Sequence, residues 1–353
     1  GSIHACNSNK AASMTTHSHG FWQLAGKRLL ADKVARICGA ILATYFLLAL
    51  ACALGLIASN WSDEVGVSYA NPSFMRDAPN PQGQDSRFKT EQQSVDAETR
   101  AIDPLAPYYA DIDKGAKAYE TASKPLSWSL PLGGDKWGRD VLQKAIKAGQ
   151  VSISIGVAAA LMAVTIGTLL GALAGYLGGR VNDLLEWVYN VFTSIPYILL
   201  VLAFAAVLGK GISTVILVLG LTGWTGCYRL IRSEYIKQRS REYVEAAGAI
   251  GAGTPRIMFI HILPNVSHLI LVQLSQLVVE FIKAEVILSF LGFGVPTELI
   301  SWGSMINEVL AELVLGKWWQ LATTALVMST FVVAFALFTD VLRDALDPKM
   351  KRN

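Results

Sequence analysis

Three ionisable residues, Glu280, Lys283 and Glu285, stand inside an apolar run spanning 264–291. An ionised side chain at the middle of a bilayer costs roughly 2.5–3.5 kcal/mol on insertion scales, so such groups face protein or water. Glu280 and Lys283 are three residues apart and can pair across one turn. The chemistry open to them is the polar wall or gate of a solute path, or a proton- or ion-coupled step. A self-satisfied pair packed among helices is the competing reading. Covalent and hydrolytic chemistry finds little support elsewhere. The nearest string to a phosphate-binding Gly-x-x-x-x-Gly-Lys-Ser/Thr loop is Gly209-Lys210-Gly211, which fails both the spacing and the final hydroxyl. With no His/Glu metal pair and no nucleophile elbow on a plausible scaffold, the sequence predicts no catalytic residue, metal or cofactor in this chain.

A second group of residues suits coupling rather than catalysis. Residues 240–264 form a polar, small-residue segment between two apolar runs. Ser240 can cap a first helix, and Glu242 in its opening turn suits the helix dipole. Ala246, Ala247, Gly248 and Ala249 leave a smooth surface for close approach. Gly251 or Gly253 can end that helix in a left-handed conformation. Thr254-Pro255 then reads as an N-cap followed by proline at the first helical position. The spacing predicts a helical hairpin, either docked on a partner or standing alone.

The elements that must position these residues are membrane spans. Hydrophobic residues make up 52% of the chain and charged residues 16%, against about 25% charged in an average soluble domain. Mean hydropathy is +0.40. A net charge of +3 over 353 residues is too small to argue for nucleic acid. Six runs are long and apolar enough to cross a bilayer, at 36–58, 151–177, 185–208, 212–232, 264–291 and 320–342. Basic residues fix the orientation. Lys27, Arg28, Lys33 and Arg36 precede the first run; Arg229, Arg232, Lys237, Arg239, Arg241 and Arg256 surround the 233–263 connection; Arg343, Lys349, Lys351 and Arg352 follow the last. An even number of crossings puts all three groups, and both termini, on the cytoplasmic side. The domain reading is therefore a cytoplasmic tail over 1–35, a first helix over 36–58, an outside insertion over 59–150, a five-helix core over 151–342 and a cytoplasmic tail over 343–353. Gly1-Ser2 reads as a cloning remnant and Met14 as a candidate start, so residues 1–20 stay out of the fold reading.

Within those spans, Ala159, Ala163, Gly167, Gly171, Gly175 and Gly179 recur every four residues, a nearly bare helix face suited to close packing. Ser194-Ile195-Pro196 interrupts the third span and Pro264 opens the fifth, both candidate kinks. Trp61, Trp302, Trp318 and Trp319 suit an interfacial aromatic belt, while Trp224 and Tyr228, inside the fourth span, are candidates for the path. Cys6, Cys38, Cys52 and Cys227 lack metal spacing and read as buried thiols. The 59–150 stretch is rich in proline and mixed charge. Asp135 and Arg139 can pair on one face of a surface helix ahead of the second span.

Several strings resemble the permeases of ABC importers, and among them the second (C-type) subunit of the dipeptide, oligopeptide and nickel branch. Glu245-Ala246-Ala247 with Gly251 and Leu263-Pro264 resembles the EAA loop, and His261-Ile262-Leu263-Pro264-Asn265 resembles that branch, where other permeases carry isoleucine at the histidine. Leu132-Gly133-Gly134-Asp135, followed by Gly138-Arg139-Asp140, resembles a second family string, with Gly134 replacing threonine. Leu288-Ser289-Phe290-Leu291-Gly292-Phe293-Gly294, Ser301-Trp302-Gly303 and Leu342-Arg343-Asp344-Ala345-Leu346-Asp347-Pro348 resemble others. Glu285 matches an acidic family position and Lys283 does not. The resemblance implies an all-α polytopic membrane protein of the type I importer kind, with six transmembrane helices, in a bacterial cytoplasmic (inner) membrane. It implies four kinds of partner besides lipid: a homologous permease, two ATPase subunits that bind ATP and Mg, and an extracytoplasmic solute-binding protein. It implies a coupling surface at Glu242, Glu245, Ala246, Ala247, Gly251, Pro255, His261 and Pro264, and dipeptides, oligopeptides or related solutes as cargo; Asp135, Arg139 and Asp140 mark a candidate outside surface helix, either simply amphipathic or in contact with the binding protein. An ion- or proton-coupled transporter using Glu280, Lys283 and Glu285 is the main alternative, and an anchoring protein whose outside segment is the working part is the third.

Overall fold

The computed structural model describes residues 26, 28–75, 126–296 and 298–346. Most of the expected N-terminal tail, Cys6, the middle of the 59–150 insertion and the last part of the C-terminal tail lie outside these residues.

Helix α1 covers Lys33–Ala53 and is capped by Asp32, whose carboxylate accepts from the Ala35 amide at 3.0 Å. It ends earlier than the expected 58. Helix α2, Val141–Leu177, is the axis of the fold. Its 37 residues give a length of about 55 Å. The span expected from 151 is thus preceded by three further turns of the same helix. Asp140 caps it, accepting from the Leu142 amide at 2.8 Å. Helices α3, Gly179–Thr193, and α4, Tyr197–Leu208, replace the expected third span and are bent by 85°. The break falls at Ser194-Ile195-Pro196, where proline cannot continue the ladder.

Helices α5, Ile212–Thr222, and α6, Thr225–Arg239, run on as one 28-residue rod. Helix α7 is Glu242–Ala249, and the short α8, Thr254–Arg256, passes through a π-helical turn at Ile257–Ile262 into α9, Leu263–Phe290. The Leu263 amide reaches back to the Met258 carbonyl, an i→i−5 bond. The wider turn relieves the clash that the Pro264 ring would make with the carbonyl four residues earlier. Helix α10, Trp302–Val314, lies between α9 and α11, Trp319–Leu346, and is absent from the expected elements. Among the described residues five helices are long and apolar enough to cross a membrane, or six if α3 and α4 form one broken span.

The fold is mostly helical, with a small two-stranded sheet that the all-α expectation did not include. Strands β1, Gly66–Pro72, and β2, Ser127–Leu130, pair in parallel at the two ends of the insertion, in register Gly66↔Ser127, Asn71↔Ser129 and Pro72↔Leu130. The turn at 133–140 is stitched to β1: the Val65 and Gly66 amides donate to the Gly138 carbonyl, and the Tyr69 amide to that of Asp135. The expected surface helix carrying Asp135 and Arg139 does not exist. The left-handed backbone at Gly133 (φ 89°) and Gly138 (φ 74°) turns the chain sharply there instead.

Most of the core surrounds α2, which packs on α1, α5, α6 and α9. Trp302 and Trp319 belong to it rather than to an interfacial belt. Their indole N–H groups donate to the carbonyls of Ala145 (3.3 Å) and Gly134 (2.9 Å). Cys38, Cys52 and Cys227 are buried free thiols, as expected.

Candidate functional site

The segment expected to couple is a hairpin formed by α7 and the π-helical turn. Val244 and Ala247 face the core, while Glu242, Glu245, Ala246, Gly248 and Ala249 face outward. Ala247 is therefore an anchor and not part of the smooth outer surface. Ser240 does not cap α7. It ends α6 with its hydroxyl on the Lys237 carbonyl, and Arg241 takes the cap position. Gly251 closes α7 in a left-handed conformation (φ 88°). The Gly251 amide donates to Gly248 and the Ala252 amide to Ala247, the paired bonds of a Schellman C-cap. The next helix is capped by Gly253 rather than Thr254, with Pro255 in its first turn. At the tip, Ile250 is 87% exposed. Pro255 and Pro264 are exposed and His261 is half-buried.

The hairpin is braced from beneath. Tyr235, fully buried in α6, donates its hydroxyl to the Met258 carbonyl at 3.1 Å. This joins α6 to the π-helical turn across the hairpin's base. Helix α6 is in turn pressed onto the small-residue face of α2. A Cβ on Gly167 would lie 2.7 Å from the Trp224 carbonyl oxygen, one on Gly171 2.7 Å from that of Tyr228, and one on Gly175 2.6 Å from that of Arg232. The close neighbour of the Gly167, Gly171 and Gly175 face is thus this chain's own α6.

The candidates for a path divide into two groups. Trp224 and Tyr228 are buried beneath α3, with ring centroids 5.5 Å from Phe192 and 5.4 Å from Tyr189 respectively. Glu285 is fully buried and accepts from Ser152 (2.7 Å) and Ser289 (2.6 Å). Both hydroxyls also accept backbone amides, from Trp302 at 3.2 Å and Val295 at 3.1 Å. Glu285 and Ser289 therefore form a satisfied joint between α2, α9 and the start of α10. Glu280 and Lys283 are the exposed group. The expected ion pair between them does not form, and both point outward from α9 instead.

Asp135, Arg139 and Asp140 stand in the turn before α2. Asp135 accepts from the Trp137 and Arg139 amides at 2.9 and 3.0 Å, from Arg139 Nε at 2.7 Å and from Lys144 Nζ at 2.8 Å. Burial pushes its carboxyl up, and the adjacent Lys144 and Arg139 outweigh that and hold it below its ordinary value. Sequence reasoning missed Lys144 and its second partner, Glu308. The available signal was the four-residue spacing of Glu308 and Glu312 in an amphipathic run.

Comparison with known proteins identifies the family. Residues 167–352 match the family described as "Binding-protein-dependent transport system inner membrane component". The chain is 39% identical to the dipeptide transport system permease protein DppC of Bacillus subtilis (strain 168) over 230 residues, 64% of this chain and 72% of that protein. It is 35% identical to the oligopeptide transport system permease protein OppC of the same organism over 248 residues, 70% of this chain and 81% of that one. The Haemophilus influenzae OppC is 34% identical, over 62% of this chain and 70% of its own length. With its long apolar helices and these matches, the chain belongs to the family of binding-protein-dependent transport system inner membrane components, multi-pass permeases integral to the inner membrane.

Proposed function

We propose that this chain is the C-type pore-forming subunit of an ATP-driven importer of dipeptides, oligopeptides or related solutes. It crosses the membrane six times with both termini inside and its insertion outside, and it pairs with a second permease, two ATPase subunits and a solute-binding protein. ATP and Mg are bound by the ATPases. The observation that carries the reading is the braced hairpin. Its outer face bears Glu242, Glu245 and Ala246 with Ile250 at the tip, and its inner face is locked to α6 through Tyr235. A force on the tip reaches α6 and, through the π-helical turn, α9. The exposed Glu280 and Lys283 on α9 suit the path or the second permease, since neither forms an ion pair among the described residues.

Glu285 does not favour an ion-coupled transporter, because serine hydroxyls already occupy it. The test is a photo-reactive amino acid at position 250 in native membranes. Crosslinking to an ATP-hydrolysing subunit is expected, with none from position 326 on the exposed face of α11. Equal labelling from the two positions would refute the docking role.

A further inference from the structure

At the end of α2 remote from the hairpin, five ionisable side chains meet. Lys144 is fully buried and donates to Asp135 (2.8 Å), to Glu308 and, at 3.4 Å, to Gln320. Arg139 pairs with Asp135 at 2.7 Å and stands 3.9 Å from Glu308. Two cations thus balance two carboxylates, and the third carboxylate is left over. Glu312, one turn beyond Glu308 on α10, is 1% exposed, and neither of its oxygens has a hydrogen-bond partner among the described residues. The Lys136 amide faces it but closes no hydrogen bond to it. Lys317 does not neutralise it: its ammonium lies over the rings of Trp319 (5.1 Å) and Tyr69 (6.0 Å). Helix α11 brings neutral groups here, Gln320 and Trp319.

A buried carboxylate with no hydrogen-bond partner and no cation left over for it is costly, and the smallest cation that removes the cost without opening the seam is a proton. We propose that Glu312 is a proton-binding site whose occupancy holds the 133–140 turn against α10. With the proton bound, the cluster is neutral. Once the proton passes to solvent, the cluster carries one unpaired negative charge and the seam loosens. The electrostatics run the same way. Burial pushes the carboxyl up to about 7, Lys144 opposes this, and Asp135 and Glu308 add to it. Because the folded-state value is raised, the folded chain holds its proton where the unfolded chain has released it. The stabilisation is complete below the ordinary carboxylate range and is lost as pH rises toward about 7.

The test uses the full chain, with the subunits that accompany it, in lipid nanodiscs. Infrared difference spectra are taken from about pH 5 to about pH 8 on the wild type, Glu312→Gln and Glu308→Gln. The expected result is a protonated-carboxyl band in the wild type that fades near neutral pH and is absent from Glu312→Gln. In Glu308→Gln its midpoint moves to lower pH, because a neighbouring negative charge is gone. Thermal stability should fall with rising pH in the wild type and stay flat in Glu312→Gln, an amide that mimics the protonated acid. Identical spectra for the wild type and Glu312→Gln would overturn the proposal. So would a Glu312→Gln protein that fails to fold or is markedly less stable than wild type at low pH.

Discussion

Adding one methyl group at Gly171 should weaken the protein, although the same change on an open helix face should not. A Cβ at Gly171 meets the Tyr228 carbonyl oxygen at 2.7 Å, the Arg232 amide nitrogen at 3.0 Å and the Ile231 Cβ at 3.1 Å. All three belong to α6, and two are backbone atoms, so no side-chain rotation relieves the overlap. Restoring ordinary contact requires α6 to move off α2 by roughly 0.5–1 Å, and overpacking of this kind costs about 1–3 kcal/mol. Alanine regains about 1 kcal/mol of helix propensity, leaving a net loss of up to about 2 kcal/mol.

Gly226→Ala supplies the comparison. It lies on α6 itself, with the Gln273 side chain at 3.9 Å as its nearest neighbour, so propensity acts there almost alone. Thermal unfolding of the two variants in the same detergent, at the same scan rate, should place Gly171→Ala below the wild type and Gly226→Ala at or above it. Because α6 leads into the hairpin, Gly171→Ala should also lower substrate-stimulated ATP hydrolysis by the assembled transporter. A Gly171→Ala protein as stable as Gly226→Ala would refute the close α2–α6 contact.

Two further changes probe the hairpin. Gly251→Asp places a side chain where φ is 88°, a conformation that costs an L-residue about 1–2 kcal/mol; membrane insertion should persist while uptake separates from ATP hydrolysis, and normal uptake would count against the coupling role. Tyr235→Phe removes the 3.1 Å bond to Met258 at a cost of about 0.5–1.5 kcal/mol. Since the Leu263 amide still satisfies that carbonyl, the visible effect should be weaker coupling rather than unfolding, measured as ATP hydrolysed per solute imported.

Much of this architecture was legible in the sequence, and the failures have physical causes. Five of the six apolar runs reappear as helices long enough to cross a membrane, because burial in lipid demands length and hydropathy together, and the third is broken into a pair bent by 85°. Gly251 and the Gly167–Gly175 face were legible because their roles depend on the lack of a side chain. The turn at 133–140 was misread as a helix because the Asp135 and Arg139 spacing fits one. The carboxylate in fact takes two nearby amides and both neighbouring cations, an arrangement local competition with the backbone favours. Helix α10 went unseen because Trp302 and the run after it read as a membrane boundary, whereas Ser301 and Ser304 form a capping box there. The burial of Trp224, Tyr228 and Ser289 depends on α3 folding back and on a buried glutamate, both tertiary events. The β1–β2 pairing joins residues far apart in the chain, beyond the reach of local periodicity.

The central claim, that this permease works by coupling to ATPases through its hairpin, is tested most directly by its company. The chain is purified in mild detergent from its native membrane, and its co-purifying proteins are counted by quantitative mass spectrometry. The account expects a second permease at equal abundance and ATPase subunits totalling two per pair, with the ATPases lost selectively when Gly251→Asp is introduced. A chain that is recovered alone, folded and competent for transport would contradict it.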